Sequence, residues 1–324
     1  MSSGSVDAIV IGGGYIGLTT ALAVAEAGLQ VAIWAARPPR QTTSAAAGAI
    51  WAPYDLEPLD QVASWRAHTH DVLRQLAHRP GTGVRLSRGV EASRTPIASV
   101  VSSDQVEGFS RCQPSELPAG YLTGFRFTTP LVDMPVHLAY LEGRLACAGV
   151  TMEIRQVASL TEAAARAPVV VNCTGIGARD LVPDPQVTPI RGQVVVVENP
   201  GLTEFFSEDS AGAPEQCYIY PQGATVVLGG VADPGKWSLE PDPDVAAGIV
   251  ARCVAVEPRL RGARVIEHRV GLRPGRPQVR VEEDESIRGT RVIHNYGHGR
   301  AGVTLSWGCA SAVATMARSV PGLL

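Results

Sequence analysis

The segment from Val6 to Arg37 constrains the fold more than any other part of this chain of 324 residues. In order it holds an apolar run, a glycine-rich sequence, a helical stretch and a second apolar run, at 6–11, 12–17, 18–27 and 29–34. This order predicts a β-α-β unit with the spacing G-x-G-x-x-G at its first turn. Such a unit at the start of a chain is typical of an α/β protein that binds a dinucleotide.

Each glycine of this spacing has a physical role in such a turn. Gly12 lets the chain turn tightly out of the strand, Gly14 lets a pyrophosphate approach the backbone, and Gly17 lets the helix pack closely on the strand. The helix N-terminus offers free N–H groups and partial positive charge to phosphates. The alternative is a tight packing turn with no ligand.

The end of the second strand departs from the usual pattern. An acidic residue normally binds a ribose hydroxyl there, but the strand ends Trp34-Ala35-Ala36-Arg37. Arg37 suits the 2′-phosphate of NADP, and it equally suits the adenosine of a flavin nucleotide. This unit alone leaves both cofactors open.

Length and composition favour two domains and exclude several classes of protein. The formal net charge is −3, which gives no sign of nucleic-acid binding. No apolar run approaches the roughly 18 residues of a membrane span, and the first strand starts too early for a signal peptide. The six cysteines have no metal-ligand spacing and predict reduced thiols in the cytosol. A composition rich in Ala, Arg, Val and Gly is typical of a GC-rich bacterial genome.

A second candidate ligand-binding stretch follows the first unit. It begins with the hydroxyl residues Thr42, Thr43 and Ser44, continues with small residues through Gly48, and ends in an aromatic segment at 51–54. Hydroxyls and N–H groups suit phosphate oxygens, and small side chains allow contact with a flat ring. A capped helix start would explain the same residues.

The rest of the chain predicts a discontinuous Rossmann-like domain joined to a domain rich in antiparallel sheet. Apolar strands at 168–173 and 291–295 end in glycine-bearing turns, which indicates that they return to the first sheet. The predicted nucleotide-binding domain comprises 1–80, 133–185 and 285–324, and the substrate domain comprises 81–132 and 186–284. Helices are predicted at 60–78, 133–148, 243–256 and 303–319.

Several stretches together resemble the D-amino-acid oxidase family of flavoproteins. They span the chain in family order and read VIGGGYIGL at 10–18, AAG with WAPY at 46–54, VNCTG at 171–175, RGQ at 191–193, GLRP with RP at 271–277, and HNYGHG with WGC at 294–309. The arginine-containing and last stretches are the most specific of these.

The resemblance implies FAD, bound without a covalent bond. Its expected contacts lie in the first turn, at the end of the second strand, in the hydroxyl stretch and in later turns: Gly12, Gly14, Tyr15, Ile16, Gly17, Ala36, Arg37, Thr42, Thr43, Ser44, Ala47, Gly48, Ala49, Val157, Thr174, Gly299, Arg300, Ala301, Gly302, Val303 and Thr304. Some family members also lack the acid at the strand end, so Ala36 is compatible with FAD.

For the substrate, the resemblance implies that Arg273 binds the α-carboxylate, assisted by the Tyr218 hydroxyl, and that the Arg300 carbonyl receives the amine. The alternatives are a surface salt bridge for Arg273 and a core aromatic for Tyr218. Tyr220 is predicted on the opposite sheet face from Tyr218. Two departures stand out: no tyrosine occupies the lid position near Pro214, and Arg300 replaces a glycine.

The implied activity is oxidative deamination of neutral D-amino acids. Hydride passes from the α-carbon to flavin N5, and oxygen reoxidises the flavin to give hydrogen peroxide; the 2-oxo acid and ammonia follow by hydrolysis. Alternatives are a D-aspartate oxidase, a glycine oxidase, an NADP-dependent dehydrogenase and a non-catalytic flavin-binding module. The expected partners are a small D-amino acid and oxygen, with no nucleic acid, no membrane and no metal, and with homodimerisation left open.

Overall fold

A computed structural model describes residues 6–52, 56–96, 105–209 and 215–318. Its strands, in chain order, are β1 (Ala8–Ile11), β2 (Val31–Ala35), β3 (Ala49–Ile50), β4 (Val84–Ser93), β5 (Glu107–Arg111), β6 (Thr123–Val132), β7 (Thr151–Ile154), β8 (Val169–Asn172), β9 (Thr188–Glu198), β10 (Phe205–Glu208), β11 (Glu215–Gln222), β12 (Thr225–Val231), β13 (Asp233–Pro234), β14 (Val265–Gly275), β15 (Arg280–Asp284) and β16 (Arg291–Tyr296). The α-helices are α1 (Tyr15–Glu26), α2 (Leu59–Ala77), α3 (Met134–Cys147), α4 (Leu160–Ala164), α5 (Ala178–Leu181), α6 (Pro243–Val256) and α7 (Gly302–Arg318).

One sheet has the order β15-β16-β8-β1-β2-β7. Its strands are parallel except for the β15–β16 pair. The predicted return of the later strands to the first sheet is therefore confirmed, because β8 pairs with β1 and β16 pairs with β8. Helices α1 and α7 pack on each other, and α3 packs on α1. This arrangement confirms the Rossmann-like α/β class.

The second sheet has the order β13-β9-β12-β11-β10-β4-β6-β3, with β14 added on β9 and β5 on β6. All its pairs are antiparallel except β10 with β4. Helix α6 covers β9, β11 and β12 through a core that includes Ile249, Val195 and Leu228. The second domain is therefore rich in antiparallel sheet, as the sequence predicts. Two strands lie in the other sheet from the one that their predicted domain implies. Strand β3, within the predicted nucleotide-binding domain, joins the second sheet, and β15, within the predicted substrate domain, joins the first. The domain boundaries themselves stay a prediction.

Helix α6 has its predicted bounds, and the other predicted helices are found with ends shifted by one to three residues. The largest shift has a clear cause. The first helix starts at Tyr15 rather than at residue 18, because Gly14 is already the extended residue that precedes it. The predicted helix at 60–78 buries Thr69 rather than His68, and the Thr69 hydroxyl accepts the Gly308 N–H at 2.9 Å.

All six cysteines lie in the described residues and are free thiols. Among the helices described, none is both long and apolar enough to cross a membrane.

Candidate functional site

A cavity of about 1320 Å³ lies where the carboxyl ends of the parallel strands meet one face of the second sheet. Ligands of open α/β sheets bind outside the carboxyl ends of the strands, and here the adjoining sheet closes the space. Such a volume holds a large ligand and a small one together. The cavity therefore has a nucleotide end, beside Gly14, and a small-molecule end, beside Arg273.

The three glycines of the first turn have the close contacts that their spacing predicts. Gly12 has φ +129°, and a Cβ on it would lie 2.3 Å from the carbonyl oxygen of Cys173. A Cβ on Gly17 would lie 2.0 Å from the carbonyl oxygen of Gly12. Gly12 and Gly17 therefore allow the strand, the turn and α1 to pack together, while Gly14 faces the cavity.

The start of α1 presents free backbone donors to the cavity. The N–H groups of Gly13 and Gly14 donate to no acceptor in the described chain, and the first turn of α1 has no acidic side chain. Ser44 supplies one local acceptor, because its hydroxyl accepts the Tyr15 N–H at 2.9 Å. The alternative of a capped helix start at 42–44 is not observed, because the segment Thr43–Ala46 is a short 3₁₀ helix without a side-chain cap. Free N–H groups and a helix dipole together suit a pyrophosphate.

Two arginines line the cavity where β2 and β7 end. Arg37 follows β2, as the sequence indicates, and Arg155 follows β7 with its guanidinium 4.1 Å from the centre of the Trp34 ring. Arg155 also pairs with Glu162 at 3.1 Å. The strand end that lacks an acid is therefore flanked by cationic side chains, which suit a phosphate-bearing nucleotide better than a bare ribose.

A chain of hydrogen bonds fixes the turn after β8. The imidazole of His294, which is fully buried, lies between Asp284 (Nε2 to Oδ2, 3.0 Å) and Asn172 (Nδ1 to Nδ2, 3.3 Å). Asn172 in turn accepts both the N–H and the hydroxyl of Thr174, at 3.2 Å and 2.7 Å. Burial lowers the pKa of His294, so the ring is neutral and Nε2 donates to the carboxylate. The network orients Thr174 at the cavity wall.

Buried polar atoms beside the cavity lack protein partners. The side-chain oxygen of Asn295 and Nε2 of His298 make no hydrogen bond, and both residues line the cavity. Burial lowers the pKa of His298 to about 4, so its ring is neutral. Buried polar atoms of this kind are normally satisfied, and the first N–H groups of α7 add further donors. This part of the cavity therefore fits a flat ligand with polar edges.

Arg273 on β14 dominates the other end. Its Nη1 donates to the Val231 carbonyl at 3.0 Å, and its guanidinium covers Gly192, where a Cβ would lie 2.6 Å from Cζ. Arg273 pairs with no carboxylate in the part of the chain that the structure describes. Burial raises the pKa of Tyr218, and the nearby Arg273 guanidinium opposes that shift. A protonated tyrosine and an unpaired guanidinium side by side form a receptor for a carboxylate.

The prediction that Tyr220 faces away from Tyr218 was wrong. The two rings stack with centroids 4.7 Å apart, and both residues line the cavity. Residues two positions apart on a strand share a face. The two tyrosines differ in their contacts. The Tyr220 hydroxyl is 3.1 Å from the Ser207 hydroxyl, whereas the Tyr218 ring lies against Gly229 and Gly230.

Most of the predicted site residues line this one cavity: Gly12, Gly14, Tyr15, Ile16, Ala36, Arg37, Thr42, Thr43, Ser44, Ala47, Gly48, Ala49, Val157, Thr174, Tyr218, Arg273, Gly299, Arg300, Gly302 and Val303. Three predicted residues do not line it. Gly17 and Ala301 are packing positions, and the buried Thr304 hydroxyl donates to the Ala52 carbonyl at 3.1 Å. The aromatic segment at 53–54 and the lid position at Pro214 lie outside the described residues.

The predicted site left out several polar cavity residues, among them Glu91, Arg155, Asn295 and His298. Asn295 and His298 lie inside the stretch 294–299, which carried the resemblance, so they had a signal. The sequence holds a weak signal for Arg155, because it follows a parallel strand as Arg37 does. Glu91 had none, since its strand reaches the site only through pairing with β10, more than 100 residues later.

Comparison with known proteins agrees with this geometry. Residues 7–316 match the family described as DAO, FAD dependent oxidoreductase. The chain is 52% identical over 313 residues to a D-amino-acid oxidase of Rubrobacter xylanophilus, covering 96% of this chain and 95% of the relative. It is 47% identical over 317 residues to a D-amino-acid oxidase of Streptomyces coelicolor, covering 96% of each. Its fold matches the crystal structure of glycine oxidase from Geobacillus kaustophilus with a TM-score of 0.78 and 19% identity, covering 98% of this chain and 96% of the other.

Proposed function

Because the chain belongs to the FAD-dependent oxidoreductase family that residues 7–316 match, we propose that it catalyses the oxidative deamination of D-amino acids with neutral side chains. The NADP alternative is not favoured, since the family is FAD-dependent. The products are a 2-oxo acid, ammonia and, with oxygen as acceptor, hydrogen peroxide. The relatives named D-amino-acid oxidase support this activity over almost the whole chain.

The observation that carries the proposal is the position of Arg273. Its guanidinium is half-buried in the cavity, donates to a backbone carbonyl and pairs with no carboxylate among the residues described. An α-carboxylate bound there by two hydrogen bonds is fixed in orientation as well as in place. The Tyr218 hydroxyl, which burial keeps protonated, donates to the same carboxylate.

The residues of the nucleotide end fit FAD. The free N–H groups of Gly13 and Gly14 would hold the pyrophosphate, the arginines after β2 and β7 would flank the adenosine, and the unsatisfied atoms of Asn295 and His298 would be satisfied near the flavin. Bound FAD supplies the acceptor for the hydride of the α-carbon and passes the electrons to oxygen.

The protein's own part is orientation. Arg273 and Tyr218 fix the carboxylate, and the carbonyl of Arg300, on a turn that lines the cavity, accepts a hydrogen bond from the substrate amine. Three fixed substituents determine which hydrogen of the α-carbon faces the flavin, which gives selection for one enantiomer. The mechanism uses no side-chain base, provided that the substrate binds as the free amine.

Charge at the small-molecule end argues against acidic substrates. A D-aspartate oxidase needs a second cation for the side-chain carboxylate, and the segment Gly229–Ala232 offers none. Arg300, which also lines the cavity, is the counter-argument, but its charge acts on Glu91. The carboxyls of Glu91 and Asp209 face the same space and would repel such a side chain. Neutral D-amino acids avoid this repulsion.

The test is a peroxide assay with added FAD across D- and L-amino acids, including D-alanine, D-methionine, D-valine, D-aspartate and glycine. We expect D-methionine and D-valine to exceed D-aspartate by at least tenfold in kcat/KM. Arg273→Ala should raise KM by ~100-fold or more while flavin absorbance is retained, because it removes a charge-assisted hydrogen-bond pair. Arg259→Ala, on the exposed surface, is the matched control. A wide preference for D-aspartate or glycine would contradict the substrate assignment.

Compartment and assembly belong to the same proposal. Six free thiols, five of them buried, support a reducing compartment, and we place the protein in the bacterial cytosol. Sedimentation at several concentrations tests the homodimer that the sequence left open.

A further inference from the structure

The carboxylate of Asp184 joins two parts of the cavity wall that belong to different sheets. Asp184 lies between α5 and β9, is 6% exposed and does not itself line the cavity. Its Oδ2 accepts the Arg276 Nε–H at 3.0 Å and the Tyr296 hydroxyl at 2.9 Å. Arg276 directly follows β14 of the second sheet, and Tyr296 is the last residue of β16 in the first. One oxygen atom therefore connects the ends of both strands.

The two strand ends carry the two polar groups of the proposed substrate site. Arg273, which binds the α-carboxylate in the proposed function, lies on β14 three residues before Arg276. The Arg300 carbonyl, which accepts the substrate amine, lies four residues after Tyr296 on the turn that leads into α7. The distance between the carboxylate receptor and the amine acceptor therefore depends on how the end of β14 packs against that turn.

Backbone contacts hold the turn against the end of β14. Gly297 has φ +83°, and a Cβ on it would lie 2.9 Å from Cδ of Arg276, so the stem of Arg276 packs directly on the turn. The Gly299 N–H donates to the Pro274 carbonyl at 2.8 Å. Asp184 fixes the guanidinium at the far end of the same stem through a charge-assisted hydrogen bond.

Asp184 is itself held in place and charged. Its Oδ1 accepts the Gln186 N–H at 3.0 Å, and its own N–H donates to the Arg179 carbonyl at 3.1 Å. Burial alone would raise the pKa of Asp184, but the hydrogen bonds that it accepts, chiefly from Tyr296 and Arg276, outweigh burial and hold the pKa below the ordinary value of 3.8. Asp184 is therefore an ionised acceptor at neutral pH.

We propose that Asp184 is a positioning residue that holds the amine-accepting turn at a fixed distance from the carboxylate receptor. This inference rests on the proposed function and names what sets the geometry of that same site. Asp184 acts through Arg276 and Tyr296 and does not touch the substrate. A fixed distance between the two polar groups aligns the α-carbon hydrogen for transfer, so a displaced turn slows the reaction.

The carboxylate receptor has support of its own. Arg273 pairs with Ile190 on β9, and its Nη1 donates to the Val231 carbonyl at 3.0 Å. Neither contact involves Asp184. Loss of the Asp184 carboxylate therefore releases the turn and leaves the receptor in place, which predicts a loss of turnover without an equal loss of carboxylate binding.

The test compares D-valine with 3-methylbutanoate, which is the same molecule without its α-amine. In Asp184→Asn, we expect kcat/KM for D-valine to fall by ~10- to 100-fold, the loss typical of a small misplacement of reacting groups. Calorimetry on the FAD-loaded protein should give a Kd for 3-methylbutanoate within ~3-fold of the wild-type value. A residue that supports only the fold would change both quantities together.

Two further variants separate the arms of this arrangement. Tyr296→Phe removes only the hydrogen bond that reaches the turn and should show the same split. The double variant with Asp184→Asn should lose little more than the weaker single variant, because both changes break one interaction. Asp184→Glu, which keeps the charge, should recover part of the kcat/KM lost in Asp184→Asn. Glu257→Gln, whose carboxylate pairs with Arg259 outside the cavity, is the matched control and should change neither quantity.

Two results would overturn this inference alone. Equal losses of turnover and of 3-methylbutanoate binding would mean that Asp184 supports only the fold, and unchanged kinetics would mean that it does not set the geometry of the site. If Asp184→Asn fails to fold, the same readouts on Tyr296→Phe decide between these results. A wild-type protein that neither binds 3-methylbutanoate nor oxidises D-valine would contradict the proposed function itself.

Discussion

The Arg273 guanidinium occupies the space that a side chain at Gly192 would fill. Its Cζ and both terminal nitrogens lie 2.6 Å from the position of a Cβ on Gly192. The two residues are on paired strands, with Gly192 opposite Gly271 and Arg273 two residues further along β14. Gly192 thus leaves the space in which the Arg273 guanidinium packs, although Gly192 has no functional group of its own.

Gly192→Ala should therefore damage substrate binding more than folding. The methyl group displaces the flexible end of Arg273 rather than backbone, so we expect a change in Tm of only a few degrees. KM for D-methionine should rise by ~10-fold or more, because the guanidinium no longer meets the carboxylate in the same orientation. Steady-state kinetics and thermal unfolding of the same preparation check this. Unfolding, or an unchanged KM, would contradict the role given to Gly192.

The glycines of the first turn should separate folding from cofactor binding. Gly12→Ala places a methyl 2.3 Å from the Cys173 carbonyl oxygen at φ +129°, where both the contact and the backbone conformation are unfavourable. We expect it to be destabilised by several kcal/mol, as for other strained core substitutions. Gly14→Ala meets only side-chain hydroxyls, those of Ser44 at 3.2 Å and Thr42 at 4.0 Å, so it should fold and lose FAD affinity.

The readouts for this pair are urea unfolding of the apoprotein and FAD titration by fluorescence quenching. Gly143→Ala, in α3 with nothing within 4 Å of the added methyl, is the control and should stabilise by about 0.5–1 kcal/mol. If Gly14→Ala bound FAD as the wild type does, the pyrophosphate position would be wrong.

Much of the fold could be predicted because local patterns encode it. The β-α-β unit shows itself in two apolar runs and three glycines, and helix α6 was predicted with the bounds it has, Pro243–Val256. The site was predicted where short motifs carry it, as at Arg273. Residues such as Glu91 were missed because register between distant strands decides which face they share, and no local pattern records that register.

The error at Tyr220 has a different origin. The period of two along a strand puts Tyr218 and Tyr220 on one face, so the sequence itself contained the right answer. Their stacking at 4.7 Å follows from that period. The mismatch at the start of α1 arose because a glycine preceding a helix gives no side-chain signal of where the helix begins.

The Asp284–His294 pair should make stability depend on pH in the acid range. Hydrogen bonds from His294 and Ser286 lower the pKa of Asp284 to about 2 from an ordinary value of 3.8. A carboxyl group whose pKa is lower in the folded state than in the unfolded state stabilises the fold at any pH above its unfolded-state pKa. This stabilisation disappears as the pH falls through the folded-state pKa. Asp284→Asn should lower Tm by a few degrees at pH 7, and the difference from wild type should shrink between pH 4 and pH 2.

The neighbouring Glu283, half-exposed and 3.4 Å from Arg291, offers the control Glu283→Gln, which should show a smaller difference because surface pairs contribute little. A constant difference between wild type and Asp284→Asn across this range would show that the carboxylate charge is not what stabilises the turn at Thr174.

Glu91→Gln should make the protein more stable above neutral pH. Burial raises the pKa of Glu91 to about 7 from 4.5, so the folded state holds the proton more tightly than the unfolded state. The resulting stabilisation is complete below about pH 4.5 and is lost as the pH rises through about 7. A shift of this size corresponds to roughly 3 kcal/mol.

Glutamine does not titrate, so the difference in Tm between Glu91→Gln and wild type should grow from pH 5 to pH 8 and then level off. Thermal unfolding of the ligand-free, FAD-loaded protein measures it. A pH-independent difference would show that Glu91 is already satisfied in the resting protein.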